Sequence, residues 1–434
     1  KMQISIDQSE GLERIVNIDL AADAIQSKVD AKLVELGKEV RIKGFRQGKV
    51  PRNILKQRFG QHARQEVLGE MMQNSIEQAL KDNDLNIVAA PEVTEADDNA
   101  DGGFSFKAKV ELMPEVPAID FSALKVEKMV ADISDEDIDG MIKNLQKQKQ
   151  DWKESKGKIA NGDLVTIEYK TAGEVTYPEE GAEKMGVLLG ESNIPADLKK
   201  AMIGLKAKES AEVEVEFPED FNVAQLAGKK AAVSFDVADV RKAKLPKVDE
   251  EFIKSFGVES GDVEEFKGDI RKNLERELSQ SISADFKNNA LKALRGACEG
   301  TLLPESMVAR ESQFMAEQEV QKAKQMGMQD APMPPAETFK EQASNRILNT
   351  LILQNIAQEQ DIKTDFAKVR EQINEMAQTF EKPEEVVQMY YKTPELMSSI
   401  EQNVMESQVM EWVESQVSIV ENKKSFDDIM KPKA

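Results

Sequence analysis

The sequence predicts a multidomain α+β chain: an N-terminal ββααββ domain, a small β-rich domain, and an extended all-helical C-terminal domain with arms. Three observations carry that prediction. Period-two and helical apolar patterns alternate through residues 1–113. Short strand-like stretches then fill residues 157–245. From Leu245 onward, long Gln-, Glu- and Lys-rich helical segments follow one another with few aromatics. At 434 residues the chain has room for two to four domains.

QISI (3–6) and RIVNIDL (14–20) read as strands, with Val16, Ile18 and Leu20 on one face. AADAIQSKVDAKLVELGKEV carries Ile25, Val29, Leu33, Leu36 and Val40, whose spacing makes one helical stripe. Pro51 suits the first turn of a second helix through NILKQRF, and a longer one is expected beyond Gly60 to about Lys81. LNIVAAPEV (85–93) and FSFKAKVELM (104–113) close the domain as strands. In the latter, Phe104, Phe106, Ala108, Val110 and Leu112 share a face.

Residues 114–156 are expected to form a linker with a long helix over 134–154, opened by Ser134 and Asp137 as a capping pair. Ile138, Met141, Leu145 and Trp152 give it a loose apolar stripe. Residues 157–245 form a separate domain, with GDLVTIEYK, VLLGE, AEVEVEF and AAVSFDVADV as strands. Residues 246–434 read as helices over 249–256, 262–300, 304–327, 335–360, 364–380, 383–391 and 394–422. Pro304, Pro335, Pro383 and Pro394 mark helix starts, and APMPP (331–335) interrupts two long helices.

Composition narrows the chemistry. The chain has 58 Lys and Arg against 80 Asp and Glu, a formal charge of −22, so any contact with nucleic acid must be local. The single cysteine, Cys298, excludes an internal disulfide and reads as a packed helix residue. The single histidine, His62, reads as a surface helix residue. Too few Cys and His exist for a zinc-type site, so no metal and no cofactor are expected. No secretory signal and no membrane-spanning run is read in the sequence, so a cytoplasmic protein without membrane contact is expected. Nineteen Met stand against 2 Trp and 4 Tyr, and flexible thioethers suit surfaces that bind varied apolar partners.

GFRQGKVP (44–51) stands apart. Its glycines are too close for a phosphate loop, and Val50 follows Lys49 where such a loop needs a hydroxyl. From Lys38 to Arg58, eight basic residues (Lys38, Arg41, Lys43, Arg46, Lys49, Arg52, Lys56 and Arg58) face only Glu39. A focused positive island in an acidic chain, with Phe45 at its centre, points to an anionic partner such as RNA or an acidic protein.

GFRQGKVP resembles the ribosome-docking signature of the trigger factor family, G-F-R-x-G-K-x-P. RQEVLGEMM (64–72), MPEVP (113–117), DEEFIKSFGVESG (249–261) and RKNLERELSQSI (271–282) extend the resemblance over the whole chain. It implies an ATP-independent chaperone that docks beside the exit tunnel, on a ribosomal protein and neighbouring rRNA, and holds nascent and unfolded polypeptides. It also implies homodimers when free of the ribosome. Gly44, Phe45, Arg46, Gln47, Gly48, Lys49 and Pro51 become docking residues, with Gln47 where a lysine is common.

The middle domain resembles FKBP-type prolyl isomerases. The resemblance places Tyr169, Ile194, Leu198, Phe221 and Phe235 in its pocket, with Met185 or Val187 at the floor. GEVTYPEEGAEK is shorter than the family's stretch and lacks its Phe. Ala196 replaces a usual glycine, and Leu198 stands where a larger aromatic is common. Weak or absent isomerase activity is therefore expected. The alternative is a protein that is mainly a prolyl isomerase, with helical arms that recruit substrate.

Overall fold

A computed structural model describes residues 2–8 and 11–431. The chain divides into two compact units. One is built from residues up to Lys128 and from Ala284–Asn422, the other from Met129–Ser283 with the segment that begins at Lys423.

The first unit opens with β1 (Gln3–Gln8), β2 (Glu13–Leu20), α1 (Ala22–Glu39), α2 (Arg52–Asp82), β3 (Glu92–Asp98) and β4 (Phe104–Glu111). The ββααββ order is as expected. The strands form one antiparallel sheet in the order β1-β2-β4-β3. Val16, Ile18 and Leu20 of β2 meet Phe106, Ala108 and Val110 of β4 in one core with Ile25, Val29 and Leu33 of α1. Leu36 and Val40 pack at its edge, so the helical stripe is the buried stripe.

Two readings in this region need correction. α2 runs through Gly60 as one helix instead of two. Leu55, Ala63, Val67 and Leu68 on either side of Gly60 bury into the core, and that burial outweighs the roughly 1 kcal/mol a helical glycine costs. The third strand lies at 92–98, not 85–93. Upstream of Pro91 only an isolated bridge joins Ile87 to Leu112, because proline has no N–H for a ladder. β3 carries no apolar alternation, since every residue in it is exposed.

The chain continues with β5 (Lys125–Val130), α3 (Asp135–Gln148), β6 (Asp151–Glu154), β7 (Leu164–Gly173), β8 (Glu183–Leu188), α4 (Ala196–Met202), β9 (Ser210–Glu216) and β10 (Lys230–Lys244). The expected capping pair opens α3: Asp137 N–H donates to Ser134 Oγ at 3.2 Å, and Ser134 N–H to Asp137 Oδ2 at 2.9 Å. α3 ends at Gln148, however, and Trp152 sits on a strand instead of extending the helical stripe. β6 pairs residues 151–154 with 241–244 at the far end of the long strand β10. The sheet order is β6-β10-β7-β8, with β9 sharing the other part of the β10 edge. One core fills this β-rich domain, and a separate core joins Ile138 and Ile142 of α3 to Phe252, Ile253 and Phe266.

The helical region comprises α5 (Glu250–Lys254), α6 (Val263–Ala297), α7 (Glu305–Gln325), α8 (Lys340–Glu359), α9 (Phe366–Ala377), α10 (Pro383–Lys392) and α11 (Pro394–Gln416). Pro304 caps α7, Pro335 caps a 3-10 turn before α8, and Pro383 and Pro394 occupy first turns, as their fixed φ favours. The expected helix to 422 stops at Gln416. Residues 418–423 instead form β11 (Ser418–Lys423), paired with β5, before α12 (Phe426–Met430). No helix of the described residues is long and apolar enough to cross a membrane.

Candidate functional site

Residues 40–51 connect α1 to α2. Ile42 is buried and Val50 packs against the same core, so both ends of the loop are anchored. Everything between them faces solvent, including Phe45 at 40% exposure. Two successive turns shape the loop: Phe45 N–H donates to Ile42 O at 3.1 Å, and Lys49 N–H to Arg46 O at 2.9 Å. Gly44 and Gly48 hold the third position of each turn at φ +96° and +79°, which a side chain would strain. The two glycines thus fix the fold of the loop and leave Phe45 and Arg46 between them facing solvent.

The side chain of Gln47 ties the loop to the end of α1. It accepts from Arg41 Nε at 3.2 Å and donates to Glu39 O at 3.3 Å. Arg52 lies 3.8 Å from Asp30 in an exposed pair. Among the described residues, Lys43, Arg46 and Lys49 make no ion pair, so their charge is available to an incoming anion. The structure therefore brings all seven residues of the basic signature to one exposed connection.

The five residues read as an isomerase pocket also come together, in the core of the β-rich domain. Tyr169 on β7 lies directly across from Phe235 on β10. Leu198 comes from α4, and Phe221 packs against Phe217 in a tilted pair with ring centroids 4.8 Å apart. These four are only 1 to 6% exposed, whereas Ile194 is half-buried at the margin. Met185 is half-buried and Val187 fully buried on β8.

Tyr177, which no sequence motif marks, joins the cluster, with its ring 6.2 Å from that of Tyr169. Buried Thr171 holds it there. Thr171 N–H donates to Tyr177 O at 2.7 Å, Tyr177 N–H donates to Thr171 Oγ1 at 2.9 Å, and Thr171 Oγ1 donates to Val175 O at 2.8 Å. The shortened GEVTYPEEG segment thus returns an aromatic ring to the cluster. Burial pushes the Tyr169 phenol up to about 12, with Tyr177 and Glu183 adding to the effect. The cluster is apolar and aromatic, its Tyr169 phenol is kept neutral, and little of its surface is exposed. A cavity of about 450 Å³ in the same domain is lined by Ala172, Glu174, Glu214, Glu216 and Lys230 and includes none of the five.

In the helical region, a cavity of about 540 Å³ opens between α8 and α11. Leu353, Ala357, Ile362, Met405 and Val409 line it, with Gln402 at the rim. Met397 and Met405 are half-buried, whereas Met326, Met328, Met376 and Met389 are exposed. His62 is exposed on α2. Cys298 is buried in a helical core, and burial raises its thiol pKa.

Two family models match this sequence. Residues 2–145 match "Bacterial trigger factor protein (TF)", and residues 262–415 match the C-terminus of the same family. A trigger factor of Stenotrophomonas maltophilia strain K279a is 38% identical over 99% of this chain and 100% of its own length. One from Marinobacter nauticus is 36% identical over 98% of each. A solved trigger factor chaperone aligns with 95% of this chain and 98% of its own at 20% identity and a TM-score of 0.49.

Proposed function

The chain belongs to the trigger factor family, and from that premise we propose that it is an ATP-independent, cytoplasmic chaperone that docks on the ribosome beside the exit tunnel and holds nascent polypeptides. The observation that carries this reading is the loop at 42–51. It is anchored at both ends, shaped by two glycine turns, and bears unpaired Lys43, Arg46 and Lys49 around exposed Phe45. Cationic side chains suit the phosphates of rRNA, and the phenylalanine suits an apolar pocket on an exit-site protein.

In this reading, residues 1–113 dock, 114–156 link, 157–245 carry the isomerase-like fold, and 246–434 hold clients. Apolar lining in the α8–α11 cavity and exposed methionines on the helices support holding. Each Å² of apolar client surface covered contributes about 25 cal/mol before ordering costs, which suits reversible capture.

Prolyl isomerisation is a minor activity in this proposal. An isomerase must favour the twisted amide over both planar forms, which takes an open apolar wall around the proline ring. Here four of the five wall residues are packed into the core, with little surface left to offer. The same observation counts against a protein that is mainly an isomerase.

Co-sedimentation with ribosomes tests the docking. The full-length protein should pellet with them at low salt and less at high salt, and a Phe45→Ala/Arg46→Ala/Lys49→Ala variant should stay in the supernatant. Equal pelleting of both proteins would sink the assignment of the loop.

A further inference from the structure

The connection between α7 and α8 holds three methionines in eight residues, Met326, Met328 and Met333. They are 74, 63 and 51% exposed, ahead of Met389 at 49% and Met113 at 45%. The first two are not on a loose loop. Met328 N–H donates to Ala323 O at 2.9 Å and Gly327 N–H to Lys324 O at 3.1 Å, with Gly327 at φ +91°. That is a closed helix cap, which fixes the backbone at the methionine on each side of the glycine, and both side chains are exposed. Pro332, Pro334 and Pro335 then stiffen the stretch that presents Met333. The chain's one thiol is the opposite case: Cys298 is fully buried, and burial disfavours its thiolate. The sulfur most open to solvent-borne reagents is therefore thioether sulfur, and it is concentrated at this turn.

We propose that the α7–α8 turn is a methionine oxidation site, where Met326, Met328 and Met333 take oxygen from a peroxide-class oxidant and so lose their affinity for apolar segments. In each step the peroxide O–O bond breaks and an S–O bond forms. Sulfur gives up two electrons, and the peroxide leaves as water or as the corresponding alcohol. The product is a polar, chiral sulfoxide in place of a flexible apolar side chain. The location of the site stands on exposure alone, whereas its consequence for binding rests on the chaperone reading.

The test uses the full-length protein exposed to hydrogen peroxide, quenched at intervals, digested and mapped by mass. Met326, Met328 and Met333 gain one oxygen several-fold faster than Met202 and Met410, which are buried. Equal rates, or faster oxidation of the buried pair, would overturn the site. Suppression of aggregation of a chemically unfolded protein is then measured before and after oxidation, in the parent and in an M326L/M328L/M333L variant. The parent loses several-fold more of its own starting capacity than the variant does. Equal losses, or none, would overturn the consequence. Failure of the unoxidised parent to suppress aggregation would count against the chaperone reading, and the mass map would still decide the site.

Discussion

Gln47 shows how much of the proposed docking loop depends on single side chains. A lysine there would add a charge and could still donate to Glu39 O, but it could not accept from Arg41 Nε. Gln47→Lys should therefore steepen the salt dependence of ribosome binding by about one phosphate contact, at a stability change within about 0.5 kcal/mol. Gly48→Ala forces a side chain into the left-handed region, and a loss of about 1 kcal/mol in urea unfolding is expected. Tyr169 gives a prediction in pH. Its phenol is raised in the folded state, so the stability from burying the neutral form is complete below about pH 10 and is lost as pH climbs to 12. Tyr169→Phe should remove the tyrosinate absorbance step near pH 12 and the matching fall in stability. The shape of the 42–51 loop was legible because its glycine turns are local in sequence. Tyr177 was not, because its position depends on the buried Thr171 hydroxyl six residues earlier in a segment without a motif.

Elements with a one-sided apolar stripe were legible, and those made by distant pairing were not. α1, β2 and β4 bury the residues their periodicity marks. β3 has no apolar face. Its ladder to β4 is accompanied by Lys107–Glu95 at 2.8 Å and by Arg64–Asp98 at 2.6 Å from α2. β6 and β11 are strands because β10 and β5 offer them an edge, and nothing within four or six residues can announce that. The α1–α2 pair supports the loop at 42–51, and Gly37 sets how closely the two helices approach. A Cβ there would lie 2.8 Å from Leu55 Cδ1, the end of a flexible side chain. Gly37→Ala should be nearly neutral, because the gain in helix propensity offsets the shift of Leu55. Gly37→Val should cost about 1–3 kcal/mol by overpacking and should weaken ribosome docking through the displaced loop. Differential scanning calorimetry of the two variants separates these outcomes. Ser134→Ala removes the capping box of α3 and should cost about 1 kcal/mol by the same measurement.

Across the whole molecule, charge is the organising feature. A chain of formal charge −22 keeps a compact basic island at one exposed connection, and the proposed docking on an anionic surface draws on that island. The three proposed activities draw on different physics. Docking is electrostatic and salt-sensitive, holding is apolar and adaptable through methionine, and isomerisation requires an open aromatic wall that this chain largely buries. The central claim is that residues 42–51 touch the ribosome. Its most direct measurement replaces Phe45 with a photoreactive phenylalanine analogue in the full-length protein and irradiates it on translating ribosomes. A crosslink to a ribosomal protein or rRNA at the mouth of the exit tunnel is expected. Crosslinks confined to the nascent chain, or to no ribosomal component at all, would contradict it.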